Sequence, residues 1–246
     1  MASYHKMLVV FFLLTIAKSY CDDEDKVKVS LYYESLCPYC SDFIVNHLGK
    51  ALYELNLVSI VDLRMVPWGN TQLGPNNTWI CQHGPDECSI DIVEACAIDL
   101  LPEDGLSFKL IECIEKLNLE GRHGEWRSCM NSLNIDQNPI MDCYQSGKGY
   151  NLELKFADET NHLNPPHRFV PWVLVDNHAL QEDFGNFVAY ICNAYKGQNK
   201  PEACEQNELE TNSFKETNSS YQVSYRGEKK HSIPFNYNFN SNTELI

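Results

Sequence analysis

"ESLCPYCSDFI", residues 34–44, sets Cys37 and Cys40 three positions apart, and the residues on either side of the pair decide the fold. Before it, Val27, Val29, Leu31 and Tyr33 alternate with Lys28, Ser30 and Tyr32, the period of a strand with one face buried. After it, Ile44, Leu48, Ala51, Leu52 and Leu55 share one stripe of a helix. Val58 to Val66 alternates again, with Val61, Leu63 and Met65 opposite Asp62 and Arg64, which predicts a second strand. The order strand, CxxC, helix, strand is an α/β frame that carries the cysteines at the start of a helix.

That position makes a cysteine reactive. Unpaired N–H groups and the positive end of the helix dipole favour thiolate over thiol, and Pro38 suits a first turn because it has no N–H to leave unpaired. Cys37 would attack a disulfide and Cys40, one turn on, would resolve the mixed disulfide. An unperturbed thiol is ionised to only roughly 0.03% at about pH 5, so a lowered pKa matters most in an acidic compartment. Two other readings stay open on these residues. The pair could be half of a zinc site, although "CQHGPDEC" (81–88) lacks the second CxxC or HxxxH of a strong zinc signature, or it could be one more staple.

From 68 to 166 the frame is interrupted. Helical patterns recur at 89–101, 107–118, 125–133 and 139–146, with Ser89 and Ser107 as N-cap candidates and Gly147 past the last turn. This stretch carries Cys81, Cys88, Cys96, Cys113, Cys129 and Cys143, a cysteine-bearing helical insertion. The frame resumes at "RFVPWVLVDN" (168–177), an apolar strand ending in a turn signal. Val170-Pro171 stands directly before that strand, where a cis proline would end the pairing and expose backbone to an extended substrate. A last helix carries Phe184, Phe187, Val188, Ile191, Cys192 and Tyr195. Beyond Cys204 the chain is polar and aperiodic, so 205–246 reads as a flexible tail.

The bulk properties exclude several functions. With 246 residues and 43% hydrophobic content, the chain can build a real core. A formal charge of −15, with no dense Lys/Arg cluster, argues against nucleic acid as a partner. His5 and Lys6, the apolar run Met7 to Ala17, and small Ala17 and Ser19 read as a signal peptide over 1–19, or to Cys21, and not as a lasting membrane span. In an oxidising lumen most of the 11 cysteines would be bridged, and Asn76 and Asn218 become N-glycosylation candidates.

"CQHGPDECSIDIVEAC" (81–96), with the CPYC upstream and "VPWVLVDN" downstream, resembles the signature of the gamma-interferon-inducible lysosomal thiol reductase family. Cys81, Gln82, His83, Gly84, Glu87, Cys88 and Cys96 match in register, and Asp91 departs from the family's Asn. The resemblance spans 27–204 and implies a thioredoxin-like α/β fold with a disulfide-stapled helical insertion in a domain of 20–204. It implies a redox pair at Cys37 and Cys40, with Val170 and Pro171 on the substrate side and no cofactor or metal. The expected partners are disulfide-containing proteins and a small-thiol or other reductant, in the secreted or lysosomal lumen. His83 is expected as a structural loop residue beside bridged Cys81, Cys88 and Cys96, with a direct role in catalysis as the alternative. Eight cysteines outside the CxxC and Cys21 allow on the order of a hundred pairings; of these only Cys192 with Cys204 is predicted. An oxidase or isomerase using the same pair, and a non-enzymatic binding module, are the rival functions.

Overall fold

The computed structural model describes residues 26–75, 78–101, 105–205, 221–228 and 235. The segment predicted as a signal peptide, Cys21, Asn76 and Asn218 lie outside the described residues.

Strand β1 (Val27–Tyr33) leads into a helix that runs without a break through Pro38–Asp42, a π-helical stretch Phe43–Leu48, and Gly49–Tyr53. We call the whole α1. Cys37 is its N-cap residue and Pro38 occupies its first turn, as the sequence predicts. β2 (Val61–Pro67) starts later than expected because Leu57–Ser59 forms a 3-10 turn. The short strands β3 (Gln72–Leu73) and β4 (Trp79–Ile80) pair with each other. Further on come β5 (Phe169–Val170), β6 (Trp172–Val175), β7 (His178–Ala179) and β8 (Ser224–Tyr225).

The central sheet has the order β2-β1-β6-β7. β1 is parallel to β2 and antiparallel to β6, with Tyr32 opposite Trp172. One residue further along this register, Pro171 falls level with Tyr33, at the end of β1 where the chain turns toward Cys37. The sheet is covered on both faces, so Leu31, Tyr32 and Tyr33 are buried in succession and the alternation fades at the β1 end that carries the site.

The interrupting segment contains α2 (Pro85–Leu100), α3 (Leu106–Leu119), α4 (Arg127–Ser132), α5 (Gln137–Gln145) and α6 (Lys148–Asn161). Gly84 and Gly105, and not Ser89 and Ser107, hold the N-cap positions of α2 and α3. α6 is absent from the sequence reading: its inner face carries Gly149, Glu153 and Thr160 beside Phe156 and Ala157, too polar to register as an apolar stripe. These helices form their own core around Ile90, Val93, Leu110, Ile114, Trp126 and Met130. Leu36, from the loop ahead of Cys37, belongs to that core, which ties the redox loop to the helical layer. α2 and α6 also pack on β2, and α7 (Phe187–Ala194) packs on β1 and β6.

Among the described residues four disulfides join Cys81 to Cys88, Cys96 to Cys143, Cys113 to Cys129 and Cys192 to Cys204. The last is the pairing that the sequence predicts. The expectation of a flexible tail needs amendment for residues 221–228 and 235. β8 pairs antiparallel with β5, and Phe235 bridges Trp79. Among the described residues no helix is long and apolar enough to cross a membrane.

Candidate active site

Cys37 and Cys40 are thiols, and both are fully buried. The N–H groups of Tyr39 and Cys40, in the first turn of α1, face the Cys37 sulfur. Burial pushes the Cys37 thiol up, but the Cys40 thiol, these N–H groups and the charge of His83 outweigh it and bring its pKa below the ordinary value. Cys40 moves the opposite way: burial, its hydrogen bond to Cys37 and the neighbouring Cys37 and Glu34 charges hold it well above. One sulfur is thus poised as a nucleophile and the other keeps its proton, the asymmetry that thiol-disulfide exchange requires.

His83 is not a remote loop residue. Donor atoms of His83, Glu34 and Cys37 all lie within 4.8 Å of one another. The His83 ring is anchored by a short contact from Nδ1 to Glu87, its backbone N–H donates to Glu87 Oε1 at 3.2 Å, and Nδ1 lies 3.4 Å from Glu34 Oε2. The Cys81–Cys88 bridge closes the loop that holds it. That bridge also removes both sulfurs as thiolate ligands. A metal held by Glu34, Cys37 and His83 would occupy the low-pKa sulfur itself.

A layer of buried acids lies behind the pair: Glu34, Glu87, Asp91, Glu94, Glu115 and Glu153. Several hold the residues that flank the cysteines. Tyr33 donates its hydroxyl to Glu94 Oε2 at 2.6 Å. Ser35 donates its N–H to Asp91 Oδ1 at 3.0 Å. Ser41 makes a short hydrogen bond to Glu115 and accepts one from Asn118 at 2.7 Å. Asn70 donates its N–H to Glu34 Oε1 at 2.6 Å. Burial raises Glu94 to about 8, and burial with neighbouring carboxylates holds Glu34, Asp91 and Glu115 well above the ordinary range. Asp91 stands where the family signature has Asn. A carboxyl that keeps its proton offers one acceptor and one donor, as an amide does, so the substitution preserves the Ser35 contact. Gly69 completes the packing at φ +50°, where an added Cβ would fall 2.5 Å from Glu34 Cγ.

Val170 and Pro171 are buried, and the peptide bond between them is cis. By the β1–β6 register Pro171 lies level with the start of the redox loop, so the structure gathers Cys37, Cys40 and the Val170-Pro171 edge at one end of the sheet. The sequence reading gave no role to Glu34, Asn70 or Gln82, and favoured a structural His83 over a direct catalytic one. For Gln82 and His83 the signal was in the CQHG motif; for Glu34 it was adjacency to the CxxC.

An asymmetric dithiol at a helix start, at the end of a four-stranded thioredoxin-like sheet, defines a thiol-disulfide oxidoreductase. A solved structure that agrees in fold is BdbD from Bacillus subtilis in its oxidised form, with a TM-score of 0.51 at 14% identity over 71% of this chain and 90% of that one. The family model for gamma interferon inducible lysosomal thiol reductase matches residues 28–133. A mouse protein named gamma-interferon-inducible lysosomal thiol reductase is 37% identical over 184 residues, covering 72% of this chain and 71% of its own length. An Arabidopsis thaliana protein named gamma-interferon-responsive lysosomal thiol protein is 37% identical over 238 residues, covering 93% and 94%. The chain belongs to the gamma-interferon-inducible lysosomal thiol reductase family, and it is a disulfide reductase.

Proposed function

We propose that Cys37 and Cys40 reduce disulfides of protein substrates in the endolysosomal or secreted lumen, with Val170 and Pro171 seating the substrate chain. The Cys37 thiolate attacks one sulfur of the substrate disulfide; a mixed disulfide forms and the second substrate sulfur leaves as a thiolate that takes a proton. Cys40 then gives up its proton and attacks the Cys37 sulfur, releasing the first substrate sulfur as a thiol. Two electrons and two protons pass to the substrate, and the Cys37–Cys40 disulfide is reopened by a small thiol or another reductant. Glu34 is a proton carrier within reach of this exchange: its Oε2 accepts no hydrogen bond among the described residues and lies in the cluster with Cys37 and His83.

The observation that carries this reading is the division of the cysteines. Among the described residues eight cysteines are bridged, whereas the pair at the helix start is left as thiols. We assign the reductase unit to 20–204, with 68–166 as its helical insertion, and N-glycans to Asn76 and Asn218. Purified Cys37→Ser should lose reduction of a denatured disulfide-bonded protein; retained activity removes the assignment. Equilibration of the wild type with a glutathione series fixes the direction, since a reductase pair equilibrates at a more reducing potential than an oxidase pair.

A further inference from the structure

The edge expected to bind substrate is already paired in this chain. Val170, the residue before cis Pro171, lies opposite Ser224, and Phe169 lies opposite Tyr225. Arg226 donates its N–H to Arg168 O at 3.1 Å. Hydrogen-bonded pairs recur every second residue in an antiparallel ladder, so Val170 with Ser224 is the next rung. The backbone that an extended substrate would use is therefore engaged by the chain's own segment.

Side chains from the redox loop's surroundings hold the same segment. Gln82, beside His83, donates Nε2 to Tyr225 O at 3.1 Å and to Glu228 O at 2.5 Å. Asn70 donates Nδ2 to Ser224 O at 3.1 Å and to Gln82 Oε1 at 2.9 Å, and Ser224 Oγ donates to Gln82 Oε1 at 3.0 Å. Asn70 is also the residue whose N–H binds Glu34, so one residue separates the segment from the cluster around Cys37. Asn70 Oδ1 is buried and accepts no hydrogen bond among the described residues. Most of these contacts go to main-chain carbonyls, and such contacts recognise an extended backbone with little regard to its sequence. Tyr221 anchors the near end, packing against Phe184, His47 and Gly185. Cys37 itself has 0% exposure with the segment in place.

We propose that residues 221–228 are an intramolecular occupant of the substrate edge, filling the place of an extended, disulfide-bearing polypeptide, and that Asn70 and Gln82 bind the backbone of whichever chain is seated there. This rests on the assignment of the Val170-Pro171 edge to substrate. The segment lowers turnover of protein disulfides until it is displaced or removed.

The test uses the full chain. Ser224→Pro removes one ladder N–H and the hydroxyl bond to Gln82, and should raise kcat/KM for a denatured disulfide-bonded protein about tenfold. Turnover of a small disulfide such as hydroxyethyl disulfide should change much less. A synthetic peptide of residues 221–228 should compete with the protein substrate on the variant. Tyr221→Ala, which leaves the strand unaltered, repeats the measurement if Ser224→Pro fails to fold. An unchanged or lower kcat/KM for the protein substrate, in a variant with wild-type melting temperature and small-disulfide turnover, overturns the proposal. Failure of the wild type to turn over either substrate would instead count against the Cys37–Cys40 assignment.

Discussion

Glu94→Gln isolates one member of the buried acid layer with little change in shape. The glutamine Oε1 still accepts from the Tyr33 hydroxyl, as Glu94 Oε2 does at 2.6 Å. Burial raises Glu94 from its ordinary 4.5 to about 8, and the Tyr33 hydrogen bond only partly opposes that. Because the folded value is the higher one, its contribution is complete below the unfolded value and is lost as pH climbs through the folded one. Between about pH 5 and about pH 7.5 the wild type should lose about 3 kcal/mol through this carboxyl alone. Losses through Glu34, Asp91, Glu115 and Glu153 have the same sign, and the Glu94 charge adds to those of Asp91, Glu115 and Glu153, so Glu94→Gln lessens them as well. Urea unfolding at the two pH values, with Cys37 and Cys40 kept reduced, should show near-equal stability at the acidic one. At the higher pH Glu94→Gln should be the more stable by at least about 3 kcal/mol. Parallel losses in the two proteins would refute a protonated Glu94 at acidic pH.

His83→Gln removes a charge within 4.8 Å of the Cys37 sulfur. That charge helps to hold the Cys37 thiol low, so the Cys37 pKa should rise in the variant. The pH profile of alkylation at Cys37 reads this directly, and an unmoved midpoint would return His83 to a structural role. The double variant Cys96→Ala/Cys143→Ala opens a bridge of sequence separation 47, and Cys113→Ala/Cys129→Ala one of 16. The first should cost about 4 kcal/mol and the second about 3, by the loop entropy restored to the unfolded chain. Denaturant midpoints measure both, and the reverse ranking would show that the bridges act through native packing.

Much of the frame was legible because β1 and the apolar stripe of α1 follow simple periods, and Pro38 marks the first turn. The Cys192–Cys204 pairing was legible because few residues separate two cysteines at the end of one helix. What escaped the sequence is held by polar contacts. α2 is buried on almost every side, with Glu87, Asp91 and Glu94 inside, so its acids look like a solvated face until the sheet and α6 close over them. α6 has Glu153 and Thr160 on its inner face. β8 has no apolar period at all; amides of Asn70 and Gln82 hold it, and both are distant in sequence. His83 reaches Cys37 because the Cys81–Cys88 bridge and Glu87 aim the ring, which the CQHG motif signalled only as a pattern.

The central claim, that Cys37 attacks and Cys40 resolves, is tested most directly by trapping. Cys40→Ser, reacted with a disulfide-bonded protein and quenched with acid, should accumulate a one-to-one mixed disulfide. Peptide mass spectrometry should place the link at Cys37, and dithiothreitol should release it. Absence of the adduct, or a link at any other cysteine, would contradict the account.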